Sequence, residues 1–230
     1  MESFSYDKAE SSYMAFFDLD RTLAGNNSGR ELVKMAFRKG VLSYPGLIRA
    51  VALSVAHRLK LVDTPGTIRD MALWAKDHPE SQLSDLCREA ALSGIIPSVF
   101  PDAKEEMESH RKKKAGIVLL SSALAPICRQ VALKLGLDSV ICSDLEVSEG
   151  RFTGRPKGKF CYGEEKAAKL IEYCEINNHS PSAAWYYGDS FSDLPVLELV
   201  GNPVCVNPDR KLMALATRKG WPVRIWASPS

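Results

Sequence analysis

Short apolar runs alternate with amphipathic helical patterns through most of this chain, and that alternation constrains its fold more than any other feature. The runs are Tyr13–Asp18, Gly116–Leu120, Ser139–Cys142, Ala183–Tyr187 and Pro203–Val206, each ending near a polar residue or a glycine. Helical patterns follow at Ala123–Leu135, stopped by Gly136, at Glu164–Glu175, and at Pro208–Lys219, stopped by Gly220. Pro101–Ala115 carries Asp102, Glu105 and Glu106 at its start and Arg111 to Lys114 at its end, which suits the helix dipole. Strands alternating with helices build a parallel sheet with helices on both faces.

One interval breaks the rhythm. About 95 residues separate Asp20 from Gly116, where a whole strand–helix–strand crossover needs roughly 30. Helical patterns fill it: Gly29–Lys39, Pro45–Lys60, Thr64–Asp77 and Ser84–Ser93. An insertion there sits above the carboxyl end of the first strand, where open parallel sheets bind ligands, so it is placed to act as a lid. The expected division is a core of residues 1–23 and 98–230 and a helical cap of residues 24–97. A second irregularity, Leu145–Phe160, alternates with period two around Glu149–Gly150 and reads as a hairpin flap.

Composition removes several classes of function. The chain has 230 residues, 45% of them hydrophobic, and 30 Lys+Arg against 28 Asp+Glu give a net charge of +2. Such a balance argues for a folded domain and against an electrostatic nucleic-acid binder. No run reaches the ~18–20 apolar residues that span a bilayer, and the first apolar run ends in an aspartate pair foreign to signal peptides. Six scattered cysteines without a C-x-x-C pattern fit reduced thiols. The expectation is a soluble cytoplasmic protein.

Asp18-Leu19-Asp20-Arg21-Thr22 follows the first apolar run directly. With 13 Asp and 5 Thr in the chain, D-x-D-x-T is expected by chance only about 0.02 times. Carboxylates two apart on an extended segment project to the same side. An aspartate cap at a strand-to-helix turn would explain one of them, not both. Gly188-Asp189-Ser190-Phe191-Ser192-Asp193 follows another apolar run in the same way. Four aspartates at two strand ends repel one another unless a cation compensates. Oxygen donors without a nearby His or Cys point to Mg2+ rather than zinc. Ser121-Ser122 ends a third run and suits either an anion site or a plain N-cap of the following helix.

In this order the motifs resemble those of the haloacid dehalogenase-like superfamily. The early helical insertion, the hairpin Glu149-Gly150-Arg151-Phe152-Thr153-Gly154 and Gly163-Glu164-Glu165-Lys166 are similar to its phosphoserine phosphatase-like branch. The resemblance covers about Tyr13 to Trp226. It implies a three-layer Rossmann-like parallel sheet core with a helical cap inserted after the first strand.

It further implies a phosphatase that works through an aspartyl-phosphate. Asp18 matches the nucleophile, and Asp20 matches the general acid and base. Mg2+ would be held by Asp18, the Asp20 carbonyl and Asp189, with Asp193 adjacent. Thr22, Ser121 and Ser122 match positions around the phosphoryl group. Lys157, Lys159, Lys166 and Lys169 all precede the Gly-Asp strand, and the family's lysine, early on the helix, fits Lys166.

Two positions depart from phosphoserine phosphatases. Asn27 stands where they carry an acid for the substrate amine, and Ser192 stands where they carry Asn. Both weaken phosphoserine as the substrate, and Asn26-Asn27-Ser28 also suits an N-cap. The implied partner is a small phosphomonoester. Rival readings are a phosphotransferase, a lipid or lysolipid phosphate phosphatase suggested by the apolar helix Leu47–Lys60, and a non-catalytic phospho-ligand binder.

Overall fold

The computed structural model describes residues 11–44, 46, 48, 52 and 72–227. Six strands form one parallel sheet: β1 (Met14–Phe17), β2 (Gly116–Leu124), β3 (Ser139–Ser143), β6 (Trp185–Gly188), β7 (Asn202–Val206) and β8 (Val223–Arg224). Their order is β3-β2-β1-β6-β7-β8. Strand β1 therefore lies centrally, with Phe17 opposite Leu119 of β2 and Tyr187 of β6. The sixth strand, two residues long, is too short to show a period in the sequence.

The two-residue period of β1 assigns its side chains to opposite faces. Ala15 and Phe17 pack with α3 (Pro101–Lys112) and α4 (Ala125–Leu135), through Ala103, Met107, Ile127, Cys128 and Val131. Met14 and Phe16 pack with α5 (Glu164–Ile176), α6 (Leu194–Leu199) and α7 (Arg210–Lys219), through Leu170, Cys174, Val196, Leu197 and Leu212. These are the three layers the alternation implies. Phe17 stacks on Tyr187 with centroids 4.3 Å apart and planes 3° apart. Truncating a buried aromatic of this kind to alanine costs about 3–5 kcal/mol.

Two boundaries differ from the sequence reading. Strand β2 runs on to Leu124, and α4 begins only at Ala125, with Pro126 in its first turn. Proline lacks the N–H that an interior position would donate, so it sets the start of the helix. Ser121 and Ser122 thus belong to strand rather than helix cap. The second difference lies in the insertion, where α2 (Glu80–Ala90) passes into a π-turn, Ala91–Ile95, and a 3-10 turn, Ile96–Ser98. At the other end of the chain, α7 is capped by the Asp209 carboxylate, which accepts from Lys211 N and Leu212 N.

The insertion starts with α1 (Ser28–Arg38), which packs on α2. The two segments that join the insertion to the sheet core are bonded to each other. Gly25 N donates to Ser98 O at 2.8 Å and Phe100 N to Leu23 O at 3.0 Å. The expected helices Pro45–Lys60 and Thr64–Asp77 lie largely outside the described residues. Among the described residues no helix is long and apolar enough to cross a membrane.

The hairpin is β4 (Leu145–Ser148) and β5 (Arg151–Pro156), joined through Glu149 and Gly150, both at positive φ, 50° and 73°. That pair of left-handed residues is the turn that matches strand twist. Its tip is bonded to the insertion: Glu80 N donates to Gly150 O at 2.9 Å, and Asp77 N to Phe152 O at 2.9 Å.

Candidate active site

The carboxyl ends of β1 and β6 lie side by side, and three of the aspartates marked in the sequence gather there. Asp18 continues directly from β1 and is held by its own amide, which donates to Tyr187 O at 2.9 Å. Asp189 continues from β6 in the same way, and Asp193 closes the short turn that follows. All three are buried, at 6%, 6% and 3% exposure. One carboxylate oxygen from each lies within 4.8 Å of the others.

Gly188 makes this turn possible. A Cβ there would meet Asp193 Oδ2 at 2.9 Å and a Tyr186 ring carbon at 2.8 Å. Asp193 also completes a capping box: Ser190 N donates to its Oδ2 at 3.3 Å. Ser192 is tied into the same turn, its hydroxyl against that of Ser190 and its amide 3.1 Å from Ser190 Oγ.

Lys166 enters from the first turn of α5 and is 3% exposed. Its ammonium donates to Asp18 Oδ1 at 2.9 Å and to Asp193 Oδ1 at 2.7 Å. Burial works against its charge, but Asp18 and Asp193 together hold its pKa well above the ordinary lysine value. Of the other candidate lysines, Lys157 is exposed, Lys159 pairs with Glu165 at 3.1 Å, and Lys169 is half-buried further along α5.

Three buried carboxylates against one ammonium leave excess negative charge. Burial, followed by Asp18 and Asp193, pushes the pKa of Asp189 up to about 9. Burial likewise raises Asp18, although Lys166 pulls it back. Oxygen donors crowded at this spacing, and short of positive charge, suit a hard divalent cation. Asp193 already spends Oδ1 on Lys166 and on the Tyr186 hydroxyl, which donates at 2.7 Å. Asp18 and Asp189 are therefore the freer donors.

Asp20 faces the other way, towards the insertion. It is half-buried, and loss of hydration together with the Asp18 charge pushes its pKa up to about 7. The chain turns sharply here, with Arg21 at φ 63° and its amide donating to Ala24 O. Ser28 N donates to Asp20 Oδ1 at 2.8 Å, while Ser28 Oγ and Asn27 Nδ2 donate to Oδ2 at 2.8 and 2.9 Å.

The remaining expected residues take varied places. Ser121 is buried, and its Oγ accepts from Ala123 N at 3.3 Å. Ser122, its neighbour on the strand, is half-buried on the opposite side. Thr22 is fully buried, and its Oγ1 has no hydrogen-bond partner among the described residues. Asn27 caps α1, its Oδ1 accepting from Arg30 N at 3.1 Å, so both ends of its amide are engaged. Ser28 and Tyr186 were not singled out from sequence. A serine after a capping Asn, and a tyrosine inside an apolar strand, carry no signal of their own.

The model for haloacid dehalogenase-like hydrolases matches residues 15–198, which spans every residue of this cluster. The chain belongs to the haloacid dehalogenase-like hydrolase family.

Within that family it is similar to histidinol-phosphatase of Neisseria meningitidis serogroup C, 29% identical over 221 residues, 91% of this chain and 97% of the relative. Its fold is like that of a Bordetella pertussis Tohama I protein of unknown function. There the TM-score is 0.85 at 24% identity, over 94% of this chain and 99% of the other. It is also like the phospho-aspartyl intermediate analogue of phosphoserine phosphatase, with TM-score 0.69, 17% identity and 94% of each chain. These structural likenesses establish the capped α/β fold that the motif order implied.

Proposed function

We propose that this family member is a Mg2+-dependent phosphomonoesterase that works through an aspartyl-phosphate on Asp18. The observation that carries this reading is the buried contact of Lys166 with Asp18 at the end of β1, with Asp189 alongside. A carboxylate nucleophile, a fixed cation and a second carboxylate are what phosphoryl transfer requires, since it depends on positioning and charge neutralisation.

In the first step an Asp18 carboxylate oxygen bonds to phosphorus as the bond from phosphorus to the leaving alcohol oxygen breaks. Asp20 gives that oxygen its proton. In the second step Asp20 takes a proton from water, the water oxygen bonds to phosphorus, and the bond to Asp18 breaks, releasing phosphate. Lys166 holds Asp18 in place and offsets charge on the phosphoryl oxygens, with Ser121 on the adjacent strand β2. Asp18, Asp189 and the Asp20 backbone carbonyl would hold Mg2+, whose charge neutralises the phosphoryl group.

A small phosphate ester as substrate is supported by relatives named histidinol-phosphatase and phosphoserine phosphatase. Asn27, uncharged and fully engaged, offers no carboxylate to a substrate amine.

The test measures phosphate release from a panel of phosphate esters, including phosphoserine, histidinol phosphate and a lysophosphatidate, with and without Mg2+. Adding alcohol acceptors distinguishes hydrolysis from phosphoryl transfer. Release from a small ester that needs Mg2+ is the expected result. No release from any ester, or full activity in excess chelator, overturns the reading.

A further inference from the structure

The Asp20 carboxylate has four lone-pair sites, and three are filled from the first turn of one helix. Ser28 supplies two donors, its amide to Oδ1 and its hydroxyl to Oδ2, and Asn27 supplies the third, its Nδ2 to Oδ2. Ser28 is 4% exposed, so water does not compete freely for these bonds. The amide and hydroxyl of a single residue grip different oxygens, which fixes the carboxylate's rotation as well as its position. Oδ2 is saturated, and the one open site is on Oδ1.

We infer that Ser28 and Asn27 are positioning residues for proton transfer, holding Asp20 so that Oδ1 carries the proton delivered to the leaving group. The inference rests on the proposed phosphatase reading, in which Asp20 is the proton donor. Neither residue touches the reacting atoms. Each acts by keeping the acid aimed, and general acid–base catalysis depends on such alignment.

A loss of aim shows itself in a way that a loss of fold does not. An alkyl phosphate has a poor leaving group and needs the proton. An aryl phosphate with an acidic phenol leaves largely without it. The quantity kcat/KM reports only steps up to leaving-group departure, so later hydrolysis of the aspartyl-phosphate does not obscure the comparison.

Two variants probe the clamp separately. Ser28→Ala removes one donor to Oδ2 and keeps the backbone amide. Asn27→Ser keeps an N-cap hydroxyl for Arg30 N, and Ser caps about as well as Asn, but it withdraws the amide donor from Asp20.

The experiment measures kcat/KM for p-nitrophenyl phosphate and for the best alkyl phosphate found with the full-length protein, alongside melting temperature. Asp20→Asn serves as the reference. The expected result is a fall in the alkyl-to-aryl ratio of at least tenfold in Asp20→Asn and at least threefold in each clamp variant, with Asn27→Ser melting like the wild type. If Asp20→Asn shifts the ratio and both clamp variants leave it unchanged, the positioning role is overturned while the phosphatase reading stands. If Asp20→Asn itself leaves the ratio unchanged, Asp20 is not the proton donor, and the clamp inference falls with that assignment.

Discussion

Lys166 is bonded more closely to Asp193 than to Asp18, with Nζ–Oδ1 distances of 2.7 and 2.9 Å. The lysine is thus anchored by one carboxylate while it serves another. Tyr186 donates to the same Asp193 oxygen, so the anchor is itself held from β6.

Lys166→Ala is therefore predicted to affect activity and stability together. It removes the cation beside Asp18 and leaves two buried carboxylates without their partner, a break that typically costs about 3–5 kcal/mol. Lys157→Ala and Lys159→Ala, at exposed positions, are expected within about 0.5 kcal/mol of the wild type. Urea midpoints and kcat/KM check this. A Lys159 variant as impaired as the Lys166 variant would move the catalytic lysine elsewhere.

Asp18→Asn keeps the side-chain volume and removes the proposed nucleophile. Turnover is expected to vanish on every ester, and the protein is expected to stay folded because Lys166 retains Asp193. Wild-type protein quenched during turnover is expected to carry a phosphoryl adduct visible by mass spectrometry, and Asp18→Asn to carry none. An adduct that persists in the variant places the covalent step on another residue.

The proposed Mg2+ between Asp18 and Asp189 would relieve their crowding in the folded state and would have no such site in the unfolded one. Mg2+ should then raise the melting temperature, since a ligand at 100 times its Kd adds about 2.7 kcal/mol. Asp189→Asn should lose most of that shift while melting no lower than the wild type without metal, because burial already pushes the Asp189 pKa up to about 9 and Asn replaces a neutral carboxyl of the same volume. An equal Mg2+ shift in both proteins would place the ion elsewhere. Activity should disappear in EDTA, and Ca2+, with its looser coordination, should restore it poorly.

The clustered aspartates were legible because they stand at the ends of apolar strand runs, where carboxylates are unusual, and Lys166 through the resemblance, which places a lysine early on the helix before the Gly-Asp strand. Asp18-x-Asp20 and Gly188-Asp189 interrupt apolar runs, and the topology of a parallel sheet then brings the strand ends together. Ser28 was not legible: it follows a capping Asn at a helix start, and only the left-handed turn at Arg21 shows that Asp20 reaches back to it. The late start of α4 was signalled by Pro126, yet the apolar pattern from Ala123 onwards fits a helix equally well. His110 was passed over for a different reason. None of the four histidines has a ligand spacing, and what fixes His110 is contributed by β1, α3 and β6, far apart in sequence.

That histidine carries the last prediction, on stability against pH. His110 is 2% exposed beneath the sheet. Its Nδ1 is 2.8 Å from the Tyr13 hydroxyl, and its Nε2 is 2.7 Å from the Tyr187 hydroxyl. Tyr187 in turn donates to Glu106 Oε1 at 2.6 Å, so Tyr187 accepts from Nε2–H and Nδ1 accepts from Tyr13. That string needs a neutral imidazole. Burial lowers the pKa of His110 from its ordinary 6.5, and Lys113 adds to the lowering, while Glu106, 3.9 Å from Nε2, opposes it. As pH falls below 6.5 the unfolded chain takes up a proton at this residue before the folded protein does. The stabilisation is therefore complete above 6.5 and is lost as pH falls towards the depressed folded value. Urea unfolding at pH 7.5 and 5.5 measures it. His110→Gln should be less stable than the wild type at pH 7.5, and the difference should narrow at pH 5.5. A gap that stays constant would show that folding leaves the His110 pKa unshifted, and one that widens in acid would show that Glu106 outweighs its burial.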